Sequence, residues 1–135
     1  FSIYREVLPN VAIKQKQKHG IVLLNEPDES VRHALTVLLQ GENWTVRDAA
    51  GCDTLDALME SGEVVAVISE SNLPDCTPGE ILERCKARGV PVVFTGHDLP
   101  LQGAVDLIRQ GAVDFLDKPF PQSRLLDLLE GLQKR

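Results

Sequence analysis

From Gly20 onward, short apolar runs alternate with longer segments in which apolar residues recur every three or four positions. The runs at residues 21–24 and 64–69 are almost entirely apolar, as is typical of strands buried on both faces of a parallel sheet. The longer segments have the spacing of amphipathic helices. Five strands alternating with five helices predict an α/β fold with a parallel sheet and helices on both faces. The flavodoxin-like strand order 2-1-3-4-5 suits a chain of this length.

The other predicted strands are equally short and lie at residues 44–46, 92–94 and 113–116. Asp28 or Ser30 can cap the first helix, because a side-chain oxygen there accepts a hydrogen bond from an unpaired backbone N–H. Apolar residues at helical spacing mark the five predicted helices in turn: Val31, Ala34, Leu35, Leu38 and Leu39; Leu55, Leu58 and Met59; Ile81, Leu82 and Cys85; Leu101, Ala104, Val105 and Ile108; Leu125, Leu128, Leu129 and Leu132.

The 135 residues fit a single domain, but the first nineteen do not share the alternation that follows. Residues 14–18 alternate lysine and glutamine without an apolar face, which is typical of a solvated linker. We therefore expect residues 1–19 to be an N-terminal extension or linker, either disordered or the end of a preceding domain. Residues 20–135 are expected to form the domain itself.

The charge balance argues against direct binding of nucleic acid. With 14 basic and 20 acidic residues, the net charge is −6, whereas contacts to nucleic-acid phosphates need a basic surface. No apolar run is long enough to cross a membrane. Cys52, Cys76 and Cys85 are odd in number and lack metal-type spacing, so we expect reduced thiols and a cytoplasmic location.

Polar side chains follow four of the predicted strands. In an open parallel sheet the carboxyl ends of the strands meet at one edge, where functional groups gather. The sequence therefore predicts a site of acids, a hydroxyl and a lysine at this edge. Its candidate members are Asn25, Glu26 and Asp28 after strand one, Glu70 after strand three, Thr95 at the end of strand four, and Asp117, Lys118 and Pro119 after strand five.

Three stretches also carry a family resemblance, which covers Gly20 to about Arg135. The segments "VVFTGH", "LIRQGAVDFLDKPF" and "LPD" resemble the receiver domains of response regulators, the CheY-like family, and in particular FixJ-type receivers. This resemblance implies the flavodoxin-like fold predicted above. It also implies a protein that accepts a phosphoryl group from a histidine kinase on an aspartate, with magnesium, and then binds or releases a partner.

The resemblance assigns roles to three residues of this chain. Lys118 matches the lysine that pairs with the phosphoryl oxygens, and the family has a cis peptide bond where Lys118 precedes Pro119. Thr95 matches the hydroxyl that hydrogen-bonds the phosphoryl group. Phe115 matches the aromatic residue whose inward or outward position is coupled to that hydroxyl.

Other positions depart from the family pattern. Counting back from the "LPD" segment places Glu70 at the acceptor position, where the family has aspartate. Strand one should end in two adjacent acids, but this chain offers either Asn25 with Glu26 or Glu26 with Pro27. Glu26 is thus the single acid left of this pair to hold a magnesium ion, and the pocket is expected to bind the ion weakly or not at all.

These departures leave two functional hypotheses. In the first, the domain is a degenerate receiver, or pseudo-receiver, in which the longer Glu70 side chain reaches Lys118 or approaches Thr95 and the domain signals by contact with proteins. In this hypothesis the Glu70–Lys118 ion pair either holds a signalling state or is silent. In the second, the receiver is phosphorylated on Glu70 or on another acid such as Asp75.

Two other kinds of function are disfavoured. A nucleotide or flavin site is disfavoured because residues 25–30 contain no glycine. A hydrolase is disfavoured because the sequence offers no nucleophile–His–acid arrangement.

The expected partners are proteins: a histidine kinase, a phosphotransferase or an output domain. Related receivers dimerise through the fourth helix, fifth strand and fifth helix, so Leu99, Leu101 and Phe120 are candidate contacts of a homodimer. The opening "FSIY…LPN" resembles the end of a histidine-kinase ATPase domain. It suggests the C-terminal receiver of a hybrid kinase.

Overall fold

The computed structural model describes residues 20–133, in which five strands alternate with five helices as predicted. The strands are β1 Ile21–Asn25, β2 Thr45–Asp48, β3 Val64–Glu70, β4 Val92–Gly96 and β5 Asp114–Asp117. The helices are α1 Glu29–Gly41, α2 Leu55–Met59, α3 Pro78–Ala87, α4 Leu101–Arg109 and α5 Gln122–Gln133. The "FSIY…LPN" segment and the predicted extension at residues 1–19 lie outside the described residues.

The sheet confirms the predicted topology. All neighbouring strands are parallel, and their order is β2-β1-β3-β4-β5. Each connection between consecutive parallel strands runs from the carboxyl edge of the sheet back to the amino edge, and each crossover here contains one helix. As a result, all five strands end at one edge.

The two faces of the sheet are covered by different helices. Successive side chains of a strand point to opposite faces, so Leu23 and its neighbours Val22 and Leu24 enter separate cores. The core that contains Leu23 is closed by residues of α2, α3 and α4, and the core that contains Val22 and Leu24 is closed by residues of α1 and α5. The sheet is therefore covered on both faces, as predicted.

The second strand begins later than the sequence indicates. Residues 44–46 are the predicted strand, but β2 spans Thr45–Asp48, and Trp44 is buried beside α1 and α5. The apolar character of Trp44 reflects its place in the core just before the strand begins. β2 is also one of the two edge strands, and its polar residues are exposed.

The fourth helix exists as predicted, but the apolar residues that mark it do not form its buried face. Leu107 is the buried residue of α4, whereas Leu101 is 81% exposed and Ile108 is 43% exposed. Ala104 and Val105 are half-buried. One apolar stripe of α4 therefore faces solvent, and periodicity alone cannot show which side of a helix meets the sheet.

The expectation of three reduced thiols is wrong for two of the cysteines. Cys52 and Cys76 form a disulfide across a sequence separation of 24, with their Cα atoms 5.7 Å apart. Cys85 remains a free, buried thiol. The sequence could not indicate this pair because the two residues lie in different loops.

None of the helices in residues 20–133 has the length and hydropathy of a membrane span.

Candidate functional site

The predicted polar residues meet at the carboxyl edge of the sheet. Strand register places Glu70 of β3 beside Thr95 of β4, and Lys118 follows β5 directly. Asn25 ends β1 beside Ser69, so Glu26 emerges next to β3. The topology therefore brings together five of the predicted site positions, which come from four strands that are separate in the sequence.

An ion triad forms the centre of this edge. The Lys118 Nζ atom lies 2.5 Å from Glu26 Oε1 and 2.7 Å from Glu70 Oε1. The three side chains are only 8%, 2% and 9% exposed, respectively. One ammonium group thus bridges two buried carboxylates, leaving a local charge of −1.

Protein donors reach all four oxygens of the two carboxylates. Glu70 Oε2 accepts hydrogen bonds from the Asn72 amide at 2.9 Å and the Ser71 hydroxyl at 3.3 Å. Glu26 Oε2 accepts from the Asp28 amide at 3.0 Å, while both Oε1 atoms accept from Lys118. Asp28 is also the N-cap of α1, since its Oδ1 accepts from the amide of Val31.

The electrostatics favour the charged forms of Glu70 and Lys118. Burial alone raises the pKa of Glu70, but the hydrogen bonds from Lys118 and Asn72 and the charge of Lys118 outweigh it, so the pKa lies below its ordinary value. Burial lowers the pKa of Lys118, but the bonds and charges of Glu26 and Glu70 outweigh that effect and raise it. At neutral pH Glu70 is therefore ionised and Lys118 is protonated.

Comparison with known proteins decides the family. The response regulator receiver domain model matches residues 22–130, nearly the whole of the described chain. The chain belongs to the receiver family. The receiver is 36% identical over 119 residues to the transcriptional regulatory protein FixJ of Bradyrhizobium diazoefficiens, covering 82% of this chain and 55% of FixJ. It is 39% identical to the C4-dicarboxylate transport transcriptional regulatory protein DctD of Pseudomonas aeruginosa, covering 78% of this chain and 23% of DctD.

Solved structures show the same fold. Full-length FixJ from B. japonicum superposes with a TM-score of 0.75 at 26% identity, covering 87% of this chain and 59% of FixJ. The receiver domain of a LuxO repressor protein from Vibrio parahaemolyticus superposes with a TM-score of 0.76 at 22% identity, covering 86% of this chain and 94% of that one. The receiver described here spans about half the length of FixJ and about a quarter of DctD.

The donor set of this receiver does not fit the magnesium ion that the family implies. Magnesium needs near-octahedral oxygen ligands and is held by carboxylates together with waters. Within residues 20–133, no three acidic, histidine or cysteine side chains are grouped so that they could hold a metal ion. Glu26 and Glu70 are bonded to Lys118, and the neighbours of Glu26 are Asn25 and Pro27. The carboxylates that would hold the ion are therefore already engaged by Lys118.

The structure also locates Thr95, Phe115 and the Lys118–Pro119 peptide bond, the other positions that the resemblance singled out. Thr95 is 1% exposed and lies opposite Glu70, and the Lys118–Pro119 bond is cis, as the resemblance implied. The ring of Phe115 is half-buried and packs against the core beneath α2, α3 and α4. Of the two contacts expected from the length of Glu70, the one with Lys118 is formed. The other hydrogen-bond partners of Glu70 are Ser71 and Asn72.

Gly96 makes room for this arrangement. A Cβ atom at Gly96 would lie 2.5 Å from Ser71 Oγ and 3.2 Å from both Glu70 Oε2 and Phe115 Cζ. We expect Gly96→Ala to lower the free energy of unfolding by about 1–3 kcal/mol, because the added atom displaces packed neighbours. Urea denaturation measures this change.

A double-mutant cycle identifies the cause of that loss. In a Ser71→Ala background the nearest clash disappears, so Gly96→Ala should cost about 1 kcal/mol less. Gly131→Ala is the matched control, because no atom lies within 4 Å of a Cβ at that position. An equal cost of Gly96→Ala with and without Ser71 would contradict the role given to the hydroxyl.

Several members of the site could not be found from the sequence. Ser71 and the Asn72 amide complete the bonding of Glu70, and the Asp28 amide completes that of Glu26. Backbone donors have no residue-type signal. The one available clue was the run of polar residues directly after β3.

Proposed function

We propose that this receiver is degenerate and acts as a protein-interaction module in two-component signalling, without taking a phosphoryl group at the acceptor position. One observation carries the proposal: the Lys118 ammonium group already bridges the carboxylates of Glu26 and Glu70 in a buried site. The group that would bind phosphoryl oxygens is thus engaged by the chain's own acids.

The length of Glu70 adds to this argument. Phosphoryl transfer depends almost wholly on positioning and charge stabilisation. A glutamate carboxylate lies about 1 Å further from the backbone than that of aspartate, and a misplacement of this size can cost about 100-fold in rate. Admitting a phosphoryl group would also separate Lys118 from two carboxylates that are less than a tenth exposed.

The retained residues support a role in signalling. Thr95 lies opposite Glu70, which occupies the acceptor position, and Glu70 Oε2 and Phe115 Cζ each lie 3.2 Å from the place of a Cβ on Gly96. The triad places negative charge there permanently, so the state of the domain is changed by binding to a protein partner rather than by phosphate. The partner is a histidine kinase, a phosphotransferase or an output domain, and the proposed location is the cytoplasm.

The proposed contact surface is the α4–β5–α5 face, through which the receiver also forms a homodimer. Leu101 is 81% exposed and stands at the start of the outward apolar stripe of α4. Leu99 and Phe120 are partly buried against the two cores, so they contribute less area than Leu101. Exposed apolar stripes of this kind mark interaction sites more often than isolated apolar residues do.

One experiment tests both parts of the proposal. The chain is incubated with acetyl phosphate and magnesium and then examined by intact mass and sedimentation velocity. We expect no gain of a phosphoryl group and an unchanged sedimentation coefficient, whereas Leu101→Asp should weaken self-association by about tenfold or more. Val37→Asp on α1 is the matched control, since Val37 is also an exposed apolar residue, at 55%.

Two results would contradict the proposal. A stable phosphoryl group on Glu70 or Asp75 would show a competent receiver. Equal effects of Leu101→Asp and Val37→Asp would show that the α4 stripe is not the contact surface.

A further inference from the structure

The disulfide joins two loops that border the candidate site. Cys52 lies between β2 and α2, and Cys76 lies between β3 and α3. Both loops leave the carboxyl edge of the sheet, where the triad is located. The covalent bond therefore fixes the distance between two segments that the sheet itself does not hold together.

The residue next to each cysteine makes a contact at the site. The Gly51 amide donates to Asn25 Oδ1 at 3.0 Å, and Asp75 Oδ2 lies 2.9 Å from the place of a Cβ on Gly51. Gly51 has φ +101°, a conformation that other residues rarely adopt. A cleft of about 440 Å³ opens beside these residues and is also lined by Glu26.

The closed loops leave one polar group without a partner. Asn25 is 2% exposed, and its Nδ2 is the one buried side-chain nitrogen or oxygen in residues 20–133 without a hydrogen bond. An unpaired buried donor opposes the closed arrangement, because water would bond to it if the loop opened. The disulfide thus holds closed a segment that has a local reason to open.

We propose that Cys52 and Cys76 are a reversible thiol–disulfide modification site, whose substrate is a low-molecular-weight disulfide and whose state sets the opening of the loop over Asn25. The reversible use of this site in the cell rests on the proposed function and its cytoplasmic location, since disulfides in that compartment are usually transient. The exchange and the loop response themselves do not depend on a partner protein.

The chemistry is a balanced two-electron exchange. The thiolate of one cysteine attacks a sulfur of the small disulfide, forms a mixed disulfide and releases one small thiolate. The second cysteine attacks the protein sulfur of that mixed disulfide and releases the other small thiolate. Two protein thiols and one small disulfide become one protein disulfide and two small thiols, so the small disulfide is reduced as the protein is oxidised.

Access to the sulfurs comes through the loops. Cys52 is 3% and Cys76 5% exposed, but Asp53, Asp75 and Thr77 beside them are exposed, so a local opening suffices. Cys85 differs because it lies within α3 and is fully buried, which together with the nearby Asp56 raises its pKa to about 12. Its thiol stays protonated and serves as an internal control.

The first measurement is a redox titration of the full 135-residue chain. The protein is equilibrated in buffers of reduced and oxidised glutathione, quenched with acid, denatured, alkylated and weighed. We expect a reversible change from three alkylated cysteines to one, with Cys85 always labelled. A pair that stays reduced at every ratio, or that resists excess dithiothreitol in the native state, would overturn the proposal.

The second measurement tests the link to the site. Hydrogen exchange at the Gly51 amide, followed by NMR, should be about tenfold or more slower in the oxidised protein than in the reduced one. The Cys52→Ser/Cys76→Ser variant should exchange at the reduced rate in both buffers. Equal exchange in the two redox states of the natural sequence would overturn the link, whereas phosphorylation of Glu70 would overturn only the proposed function.

Discussion

Lys118→Met is expected to lower the free energy of unfolding at neutral pH by about 3–5 kcal/mol, because it leaves two buried carboxylates without a counter-ion. Glu26 and Glu70 are 2% and 9% exposed, and each loses its bond to the ammonium group. The remaining donors to these acids are two backbone amides and the Ser71 hydroxyl. Urea denaturation gives the size of the loss.

The pH dependence of stability should reverse at the same time. In the natural sequence the pKa of Glu70 is lowered, so its contribution is present above the unfolded pKa and is lost as the pH falls through the folded pKa. In Lys118→Met we expect burial to raise the pKa of Glu70. Protonation of Glu70 then removes the unpaired buried charge of the variant as the pH falls, so the two stability curves converge as the pH falls through the folded pKa of Glu70 in the natural sequence.

Two controls separate the triad from a general effect of losing a lysine. Lys86→Met removes an exposed lysine of α3 and should change stability by about 0.5 kcal/mol or less. Glu26→Gln/Glu70→Gln/Lys118→Met removes all three charges and should recover part of the loss. The role of the triad is refuted if Lys118→Met costs no more than Lys86→Met.

Restoring the acids of the family pattern should create a phosphorylated receiver. We expect Asn25→Asp/Glu26→Asp/Glu70→Asp to take up a phosphoryl group from acetyl phosphate at a rate about 100-fold or more above that of the natural sequence. The shorter side chains withdraw from Lys118, and three carboxylates then balance a divalent cation. Intact mass measures the uptake, and magnesium should raise the melting temperature of this variant but not that of the natural sequence.

A second design resolves the alignment that the sequence leaves open. Glu26→Asp/Pro27→Asp/Glu70→Asp places the acid pair one residue later. Asn25 is buried at the end of β1 whereas Pro27 is exposed, so the Asn25 design should be the more active of the two. If both variants fold and bind magnesium yet neither gains a phosphoryl group, then these acids are not what limits the natural receiver.

Much of the site follows from local patterns. Short apolar runs and helical spacing predict the alternating elements, and parallel strands then have to end at one edge, which brings Glu70, Thr95 and Lys118 together. The acidic substitution at Glu70 can be read directly from the chain. Its length already indicated a contact with Lys118, which the structure contains.

Other features depend on distances between segments that are remote in the sequence. The inward face of α4 is set by how the helix meets the sheet, so Leu107 is buried and Leu101 is exposed although both are leucines. The pairing of Cys52 with Cys76 requires two loops to approach within 5.7 Å between Cα atoms. One oxygen of Glu26 and one of Glu70 are bonded by backbone amides, which carry no residue-specific signal. Periodicity and residue type therefore determine the fold and the principal charged members of the site, while tertiary packing decides which groups those members bind and adds the donors that complete their bonding.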